Sequence, residues 1–161
     1  MTHDEVLDLF REAGALLEGH FVYASGRHGS RFLQAARVLQ YPHHTERLCK
    51  ALAERFRDDG IQLVAGPATG GIVLAYETAR HLGCRSVFAE KDGHGGMVVG
   101  RGFHIPSDIR VLVVEDIVTT GGSVLKVIDH LKGRGAQLAG VGVLVDRSGG
   151  VLVDVRRGLA G

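Results

Sequence analysis

Cysteine, long apolar runs and net charge are all scarce in this sequence. Among its 161 residues only Cys49 and Cys84 carry thiols, which is too few for a metal-ligand pattern or a dense disulfide framework. We expect buried structural thiols and a reducing, cytoplasmic setting. No apolar run approaches the roughly 20 residues that span a bilayer, and the acidic N-terminus "MTHDEVLDLF" is unlike a signal peptide. We therefore expect no membrane partner.

Neither sign of charge is in excess, because 19 lysines and arginines balance 18 aspartates and glutamates. Nucleic-acid-binding domains carry a basic patch, so no nucleic acid is expected as a partner. The nine histidines are scattered, and even His43 and His44 lack a carboxylate at ligand spacing, so no metal site built by the protein is predicted. Neither a G-x-x-x-x-G-K-[ST] motif nor a G-x-G-x-x-G motif after a strand occurs.

Glycine, in contrast, is abundant. There are 24 glycines in 161 residues, about twice the usual share of roughly 7%. Glycine pairs at the ends of elements indicate tight turns and backbone that approaches a ligand closely. The chain length corresponds to one domain, which can bury roughly two-thirds of its unfolded surface in a single core.

The N-terminal part predicts two helices separated by extended chain. Thr2 and Glu5 form a capping box before a helix whose apolar face runs from Val6 to Leu17 and which Gly19 ends. The stretch "HFVYASGRHGSRFLQAARVL" predicts two extended segments around a Gly-Arg-His-Gly-Ser turn. A further helix follows, with apolar residues at intervals of four: Leu48, Leu52 and Phe56.

From residue 61 onward, short apolar strands alternate with helical segments. The predicted strands are "IQLVAG", "RSVFAE", "VLVVED" and "GVGVLVDR". Strands of this kind that alternate with helices predict a parallel sheet covered on both faces. In such sheets, ligands bind at the carboxyl ends of the strands.

The stretch "VLVVEDIVTTGGSV" places two acids and a hydroxyl- and glycine-rich loop at one such end. The loop, 119–123, leads into a helix whose N-terminal amides and partial positive charge suit a phosphate. Glu115 and Asp116 would repel a phosphate, but carboxylates accept hydrogen bonds from sugar hydroxyls. A phosphorylated sugar fits both features, with its phosphate in the loop and its hydroxyls on the two acids. The alternative is a helix capped by Thr120 beside acids that are merely solvated.

The same stretch resembles the phosphoribosyl-pyrophosphate signature of type I phosphoribosyltransferases, and others resemble the orotate phosphoribosyltransferases. "EGHFVYASGRHGSRFLQ" is similar to that family's N-terminal hood, and "VAGPATGGIVLAYETARHLG" to its pyrophosphate-binding turn and helix. "FAEKDGHGG" is similar to the flexible catalytic loop, and "VLVDRSGG" to the strand that ends in Asp-Arg. The resemblance implies one α/β domain over 1–161, with a helix and small hood over 1–44 and a central parallel sheet flanked by helices over 45–161.

The implied activity is that of a glycosyltransferase in de novo pyrimidine synthesis. The 5-phosphoribosyl group of phosphoribosyl pyrophosphate would pass to orotate, giving orotidine 5-phosphate and pyrophosphate. Mg²⁺ would arrive with the pyrophosphate rather than in a protein cage. The resemblance also implies a homodimer in which the catalytic loop of one subunit reaches the neighbouring site.

The resemblance assigns roles residue by residue. Glu115 and Asp116 would hold the ribose 2- and 3-hydroxyls, and Asp116, Lys91 and His94 would be catalytic, the last two closing over the pyrophosphate. Arg147 would pair with the orotate carboxylate. The other implied contacts form the phosphate loop, the pyrophosphate turn, the base wall and a second phosphate contact: Thr119, Thr120, Gly121, Gly122, Ser123, Thr69, Gly70, Phe32 and Arg101. Structural alternatives stay open for some of these residues. They are a solvated hairpin turn for Lys91 and His94, core packing for Phe32 and a surface position for Arg101.

The chain also departs from the usual family pattern. Gly70 and Ala24 stand where many members carry lysines, and Glu90 stands where an arginine is common. The catalytic loop is shorter, and the chain ends at Gly161, whereas members usually continue through a further strand and helix. Two alternatives therefore remain open: a phosphoribosyltransferase for another base, and a non-catalytic regulator that binds phosphoribosyl pyrophosphate.

Overall fold

The computed structural model describes residues 1–22 and 28–147, and it describes side chains outside 17–33. Two compact units are present, Met1–Leu48 and Cys49–Gly161. The organisation of the chain as a single domain stays a prediction, and each unit is described by itself below.

The first unit begins with helix α1 (His3–Glu12), which starts where the sequence predicts. The Thr2 hydroxyl accepts the Glu5 amide N–H at 3.2 Å, and the Glu5 carboxylate accepts the Thr2 N–H at 2.6 Å. This reciprocal pair satisfies two of the amides that a helix N-terminus leaves unpaired. The predicted capping box is confirmed.

The end of α1 differs from the prediction. Gly14 adopts φ 66°, a left-handed conformation that favours glycine and ends the helix shortly after Glu12. The chain then enters strand β1 (Leu16–Val22). The prediction that Leu17 belongs to the helix and that Gly19 ends it is therefore wrong.

Strand β1 pairs antiparallel with β2 (His28–Leu33). Two helices follow, α2 (Ala35–Leu39) and α3 (Pro42–Glu54). The extended segment predicted through residue 39 is thus too long. Ala35 and Val38 lie three residues apart and are both buried, which is the spacing of one helix face.

The second unit contains a five-stranded sheet and two more helices. In chain order these are β3 (Leu63–Pro67), α4 (Gly70–Leu82), β4 (Arg85–Lys91), β5 (Met97–Val98), β6 (Arg110–Val118), α5 (Gly122–Gly133) and β7 (Gln137–Asp146). The strand order is β5-β4-β3-β6-β7. All pairs are parallel except β4–β5, which forms an antiparallel hairpin. The predicted parallel sheet is confirmed.

Helices cover both faces of this sheet, and β6 shows how the alternation works. Val111 and Val113 pack in the cluster that contains α5. Leu112 and Val114 pack in the opposite cluster, which contains α4 and Cys49. Successive side chains of a strand point to opposite faces, so each residue of β6 is assigned to one helix layer or the other. None of the described helices is long and apolar enough to cross a membrane.

The two cysteines are free thiols. Cys49 is fully buried, and burial raises the pKa of its thiol to about 11, so the reactive thiolate is scarce at neutral pH. Cys84 is only partly buried, and burial raises the pKa of its thiol as well. The prediction of buried structural thiols is confirmed for Cys49 and holds in part for Cys84.

Strand β3 and helix α4 approach each other so closely that side chains are excluded at two glycines. A Cβ atom on Gly66 would lie 2.8 Å from the Gly71 carbonyl carbon, and one on Gly71 would lie 2.7 Å from Pro67 Cδ. Both distances are shorter than real contacts allow. The Ala68–Thr69 peptide bond in this turn is cis.

Candidate active site

The predicted site residues follow the carboxyl ends of parallel strands. Thr69 and Gly70 follow β3, Lys91 ends β4, and Arg147 follows β7. The two acids lie near the end of β6, and the phosphate loop, residues 119–123, follows that strand directly. Parallel strands bring their carboxyl ends to one edge of a sheet, which is where ligands of such folds bind.

The phosphate loop forms a small pocket that is open to solvent. Every predicted loop residue lines it, together with Glu115: Thr119, Thr120, Gly121, Gly122 and Ser123. Thr119, Thr120 and Ser123 are exposed, so their hydroxyls are available to a ligand. The structure therefore brings Glu115 and the predicted phosphate-binding residues into one concavity.

Helix α5 presents its N-terminus to this pocket without a side-chain cap. Its N-cap is Gly121 at φ 81°, and no side chain caps the helix. Thr120 is one residue too early, and its hydroxyl accepts only a long 3.4 Å hydrogen bond from the Gly122 N–H. The alternative in which Thr120 caps the helix is therefore wrong. The first amides of α5 and its partial positive charge face the pocket, as an anion requires.

The two acids have different neighbours outside β6, although their carboxyls lie close to each other. Glu115 lines the phosphate-loop pocket. The Asp116 carboxyl lies against Gly70 instead, because a Cβ on Gly70 would be 2.8 Å from Asp116 Cγ. Asp116 also accepts the Ile117 N–H at 2.7 Å. Glu115 thus adjoins the N-terminus of α5, and Asp116 adjoins that of α4.

Burial and the neighbouring Asp116 change the protonation of Glu115. Burial in the first place, and then hydrogen bonding and repulsion from the Asp116 carboxylate, raise the pKa of Glu115 to about 8. The Asp116 N–H donates to Glu115 at 3.0 Å and opposes this shift. Burial and the nearby Asp116 carboxylate thus favour the neutral form of Glu115 in the free protein.

Strands β4 and β5 and the turn between them, residues 92–96, form a short hairpin. Asp92 closes the turn, because its carboxylate accepts the N–H of His94 at 2.6 Å and of Gly96 at 3.0 Å. These bonds lower the pKa of Asp92. Gly93 and Gly95 have positive φ angles of 82° and 86°, so the turn depends on them.

Lys91 and His94 are exposed on this hairpin and do not belong to the residues that line the phosphate-loop pocket. Arg101, predicted as a second phosphate contact, forms a two-bond ion pair with Glu90 at 2.8 and 2.9 Å. Arg101 lowers the pKa of Glu90 accordingly. Glu90, which stands where family members commonly carry an arginine, is thus paired with Arg101.

Arg147 and Phe32 can be described only in part. The Arg147 N–H donates to the Val118 carbonyl at 2.7 Å, so the backbone of Arg147 adjoins the residue that precedes the phosphate loop. Its side chain is exposed. The side chain of Phe32 and all of Ala24 lie outside the described residues. The predicted base wall therefore stays a prediction.

Two polar contacts between α5 and the residue after β5 were not predicted. His130 Nε2 on α5 accepts the Val99 N–H at 3.0 Å, and Arg134 donates to the Val99 carbonyl at 3.4 Å. Both join residues more than thirty positions apart in sequence. Local periodicity carries no signal for such a pair, because it identifies the helix face but not the backbone group opposite.

Comparison with known proteins assigns the chain to a family. Residues 36–157 match the phosphoribosyl transferase domain. An orotate phosphoribosyltransferase of Pelotomaculum thermopropionicum is 53% identical over 152 residues, 94% of this chain and 80% of the relative. One of Desulforamulus reducens is 51% identical over 150 residues, 93% of this chain and 78% of the relative. The crystal structure of an orotate phosphoribosyltransferase from Aeropyrum pernix superposes with a TM-score of 0.74 at 28% identity, covering 93% of this chain and 88% of that one. The chain therefore belongs to the phosphoribosyltransferase family, in its orotate phosphoribosyltransferase branch.

Proposed function

We propose that the protein transfers the 5-phosphoribosyl group of phosphoribosyl pyrophosphate to N1 of orotate in pyrimidine synthesis. The products are orotidine 5-phosphate and pyrophosphate. The observation that carries the proposal is one strand, β6, whose two acids lie between two helix N-termini. Two anion-binding helix ends therefore flank a pair of carboxyls. Phosphoribosyl pyrophosphate has the complementary layout, because its phosphate and its pyrophosphate flank the ribose hydroxyls.

In this arrangement the 5-phosphate occupies the pocket of the phosphate loop and the ribose hydroxyls bind the acid pair. Ribose hydroxyls donate hydrogen bonds to carboxylates, so they suit the acid pair. The ribose C1 gains positive charge as pyrophosphate leaves, and the adjacent Asp116 stabilises that charge. The substitution Asp116→Asn removes this charge and keeps the shape of the side chain, so it tests this role directly.

The pyrophosphate binds at the turn that contains Thr69 and Gly70. Thr69 is the exposed N-cap of α4, and no side chain caps this helix, so its first amides are available to the anion. Lys91 and His94 close over the pyrophosphate from the hairpin.

Magnesium fits this site as part of the substrate. Mg²⁺ keeps several waters and is commonly held by one or two carboxylates together with substrate phosphates. Among the described side chains, those of residues 1–16 and 34–147, no group of three or more His, Cys, Asp or Glu could hold a metal. When bound, the ion neutralises the leaving pyrophosphate.

Arg147 provides the selectivity for orotate, and Phe32 forms part of the wall beside the base. The support for Arg147 is its position one residue beyond β7, with its backbone bonded to Val118. Arg101 would contact a phosphate by exchanging Glu90 for the ligand. Ion pairs that are exposed to solvent contribute little to stability, so this exchange costs little.

We further propose that the protein is a cytoplasmic homodimer with shared active sites. Val73 and Tyr76 on α4 are 50% and 68% exposed. They lie three residues apart, so they form an apolar patch on one helix face. A second subunit would cover this patch. Sedimentation of the wild type and of Tyr76→Glu tests the assembly, and a dimeric Tyr76→Glu variant would move the interface elsewhere.

The activity is tested by incubating the protein with phosphoribosyl pyrophosphate, Mg²⁺ and, separately, orotate, uracil, adenine and hypoxanthine. Pyrophosphate release and the nucleotide formed are measured. We expect orotidine 5-phosphate with orotate only, and a loss of roughly 10²-fold or more in kcat/KM for Asp116→Asn. Asp129→Asn is the matched control, because Asp129 is exposed on α5 and should retain activity.

Two outcomes would replace the proposal. Turnover of an uncharged base in preference to orotate would indicate a phosphoribosyltransferase of different specificity. Binding of phosphoribosyl pyrophosphate without turnover of any base would indicate a regulator.

A further inference from the structure

The backbone of Val99, just beyond β5, is held by side chains rather than by a neighbouring strand. His130 accepts its N–H at 3.0 Å, and Arg134 donates to its carbonyl at a longer 3.4 Å. The Val99 side chain is 3% exposed in the core cluster beside α5. A buried backbone amide without a partner is costly. His130 therefore supplies the hydrogen-bond acceptor that a carbonyl of a neighbouring strand would otherwise provide.

The two holding residues stand on the helix that begins in the phosphate loop. His130 lies eight residues after Gly122, which is roughly 12 Å along the helix axis at about 1.5 Å per residue. The residue that they hold terminates the hairpin that carries Lys91 and His94. A single rigid helix thus connects the phosphate loop to the base of the hairpin.

We propose that His130 and Arg134 are positioning residues, which fix the base of the hairpin that carries Lys91 and His94 against helix α5 and so aim these two residues at the active site that the subunits share. The inference rests on the proposed function, since it concerns how that reaction's pyrophosphate-side residues are aimed. Neither residue needs to touch the substrate. Their effect passes through the backbone of Val99.

The contact requires neutral His130, because only an unprotonated Nε2 accepts a hydrogen bond. Burial and then the nearby Arg134 lower the pKa of His130, while Asp92 of the hairpin turn opposes this shift. These are the charged groups that act on His130 within the described chain. The contact is therefore present at neutral pH and is lost on acidification below the ordinary histidine range near pH 6.5.

The first test is hydrogen exchange of the Val99 amide, followed by NMR in the full-length protein without substrate. His130→Leu removes the acceptor and should speed exchange roughly 3- to 10-fold, the range for one net hydrogen bond. His130→Gln offers a carbonyl oxygen in place of Nε2 and should largely restore protection. Arg134→Met should have a smaller effect, and Asp129→Asn, one residue away and exposed on α5, should have none.

The second test is steady-state kinetics of the same variants. Misplacing the hairpin weakens contacts made mainly in the transition state, so His130→Leu should lower kcat roughly 3- to 10-fold and change the KM for phosphoribosyl pyrophosphate less than about twofold. His130→Gln should regain most of the lost kcat. The wild type should lose kcat on acidification more steeply than His130→Gln, which has no group to protonate.

Several results would overturn the inference. Unchanged Val99 exchange in His130→Leu would show that the hydrogen bond does not hold the hairpin. Faster exchange or a lower melting temperature with full kcat would show a purely structural role. Should His130→Leu not fold, identical pH profiles of the wild type and His130→Gln would refute the inference. Exchange requires no substrate, so a wild type inactive on orotate would refute the proposed function alone.

Discussion

Replacing Gly70 by alanine should expose how the start of α4 and the Asp116 carboxyl depend on each other. A Cβ at this position would lie 2.8 Å from Asp116 Cγ and 3.0 Å from Oδ1. The aspartate side chain is short, so it can move away only by changing its rotamer. That change breaks the 2.7 Å hydrogen bond from the Ile117 N–H.

Two opposing effects set the magnitude. Losing a hydrogen bond to a charged acceptor costs about 1.5–3 kcal/mol, whereas alanine in place of glycine stabilises a helix by up to about 1 kcal/mol. Gly70→Ala should therefore lower the free energy of unfolding by roughly 0.5–2 kcal/mol. In an Asp116→Ala background the clash is gone, and the same substitution should raise it by roughly 0.5–1 kcal/mol.

The assay is urea unfolding of the wild type, both single variants and the double variant, from which the coupling energy is calculated. A coupling of at least about 1.5 kcal/mol is expected. If the two substitutions add within about 0.5 kcal/mol, the contact between Gly70 and Asp116 is not as close as described, and the glycine at this position needs another explanation.

Three further predictions concern the site. The pKa of Glu115 is about 8 in the folded protein and 4.5 in the unfolded chain. The free energy of unfolding should therefore be highest below pH 4.5 and should fall as the pH rises toward about 8. Glu115→Gln should therefore gain stability over the wild type across that window, by up to about 1.4 kcal/mol per pH unit in urea unfolding, and a pH-independent difference would contradict the shift. Arg147→Ala should weaken orotate binding by roughly 1.5–3 kcal/mol in calorimetry and leave phosphoribosyl pyrophosphate binding unchanged, whereas wild-type orotate affinity would remove Arg147 from the base site. If sites are shared, mixing Lys91→Ala or His94→Ala with Asp116→Asn should restore activity through hybrid dimers, and no recovery despite demonstrated subunit exchange would place each site within one chain.

The sheet was predictable because each strand is a short apolar run bounded by turn residues. Leu63–Pro67 is buried throughout, and the helices that follow have a clear apolar periodicity. The N-terminal part was less predictable. Gly14 ends α1 with no periodic break to mark it, since Leu17 still fits the helix face, and the short helix Ala35–Leu39 is too brief for a periodicity to emerge.

The site was predictable in its residue types and only partly in its geometry. The motif around Glu115 and Asp116 indicated a sugar phosphate, because acids and anion-binding amides adjoin in one stretch. The groups that surround these acids in the folded protein come from other segments. Gly70 against Asp116, Arg101 with Glu90 and His130 with Val99 are tertiary contacts, which no local pattern contains.

The close approach of Gly66 and Gly71 also shows where this glycine-rich chain can be engineered. Exchanging glycine for alanine is a common way to raise thermal tolerance, but at these two positions it would separate β3 from α4. Gly133, the last residue of α5, has no positive φ, and a Cβ atom added to it would meet no neighbour within 4 Å. Alanine there restricts the unfolded chain and should add roughly 0.4–1 kcal/mol. Gly133→Ala should therefore raise thermal stability at the end of α5 that is far from the phosphate loop. The same substitution at Gly66 or Gly71 should destabilise the protein.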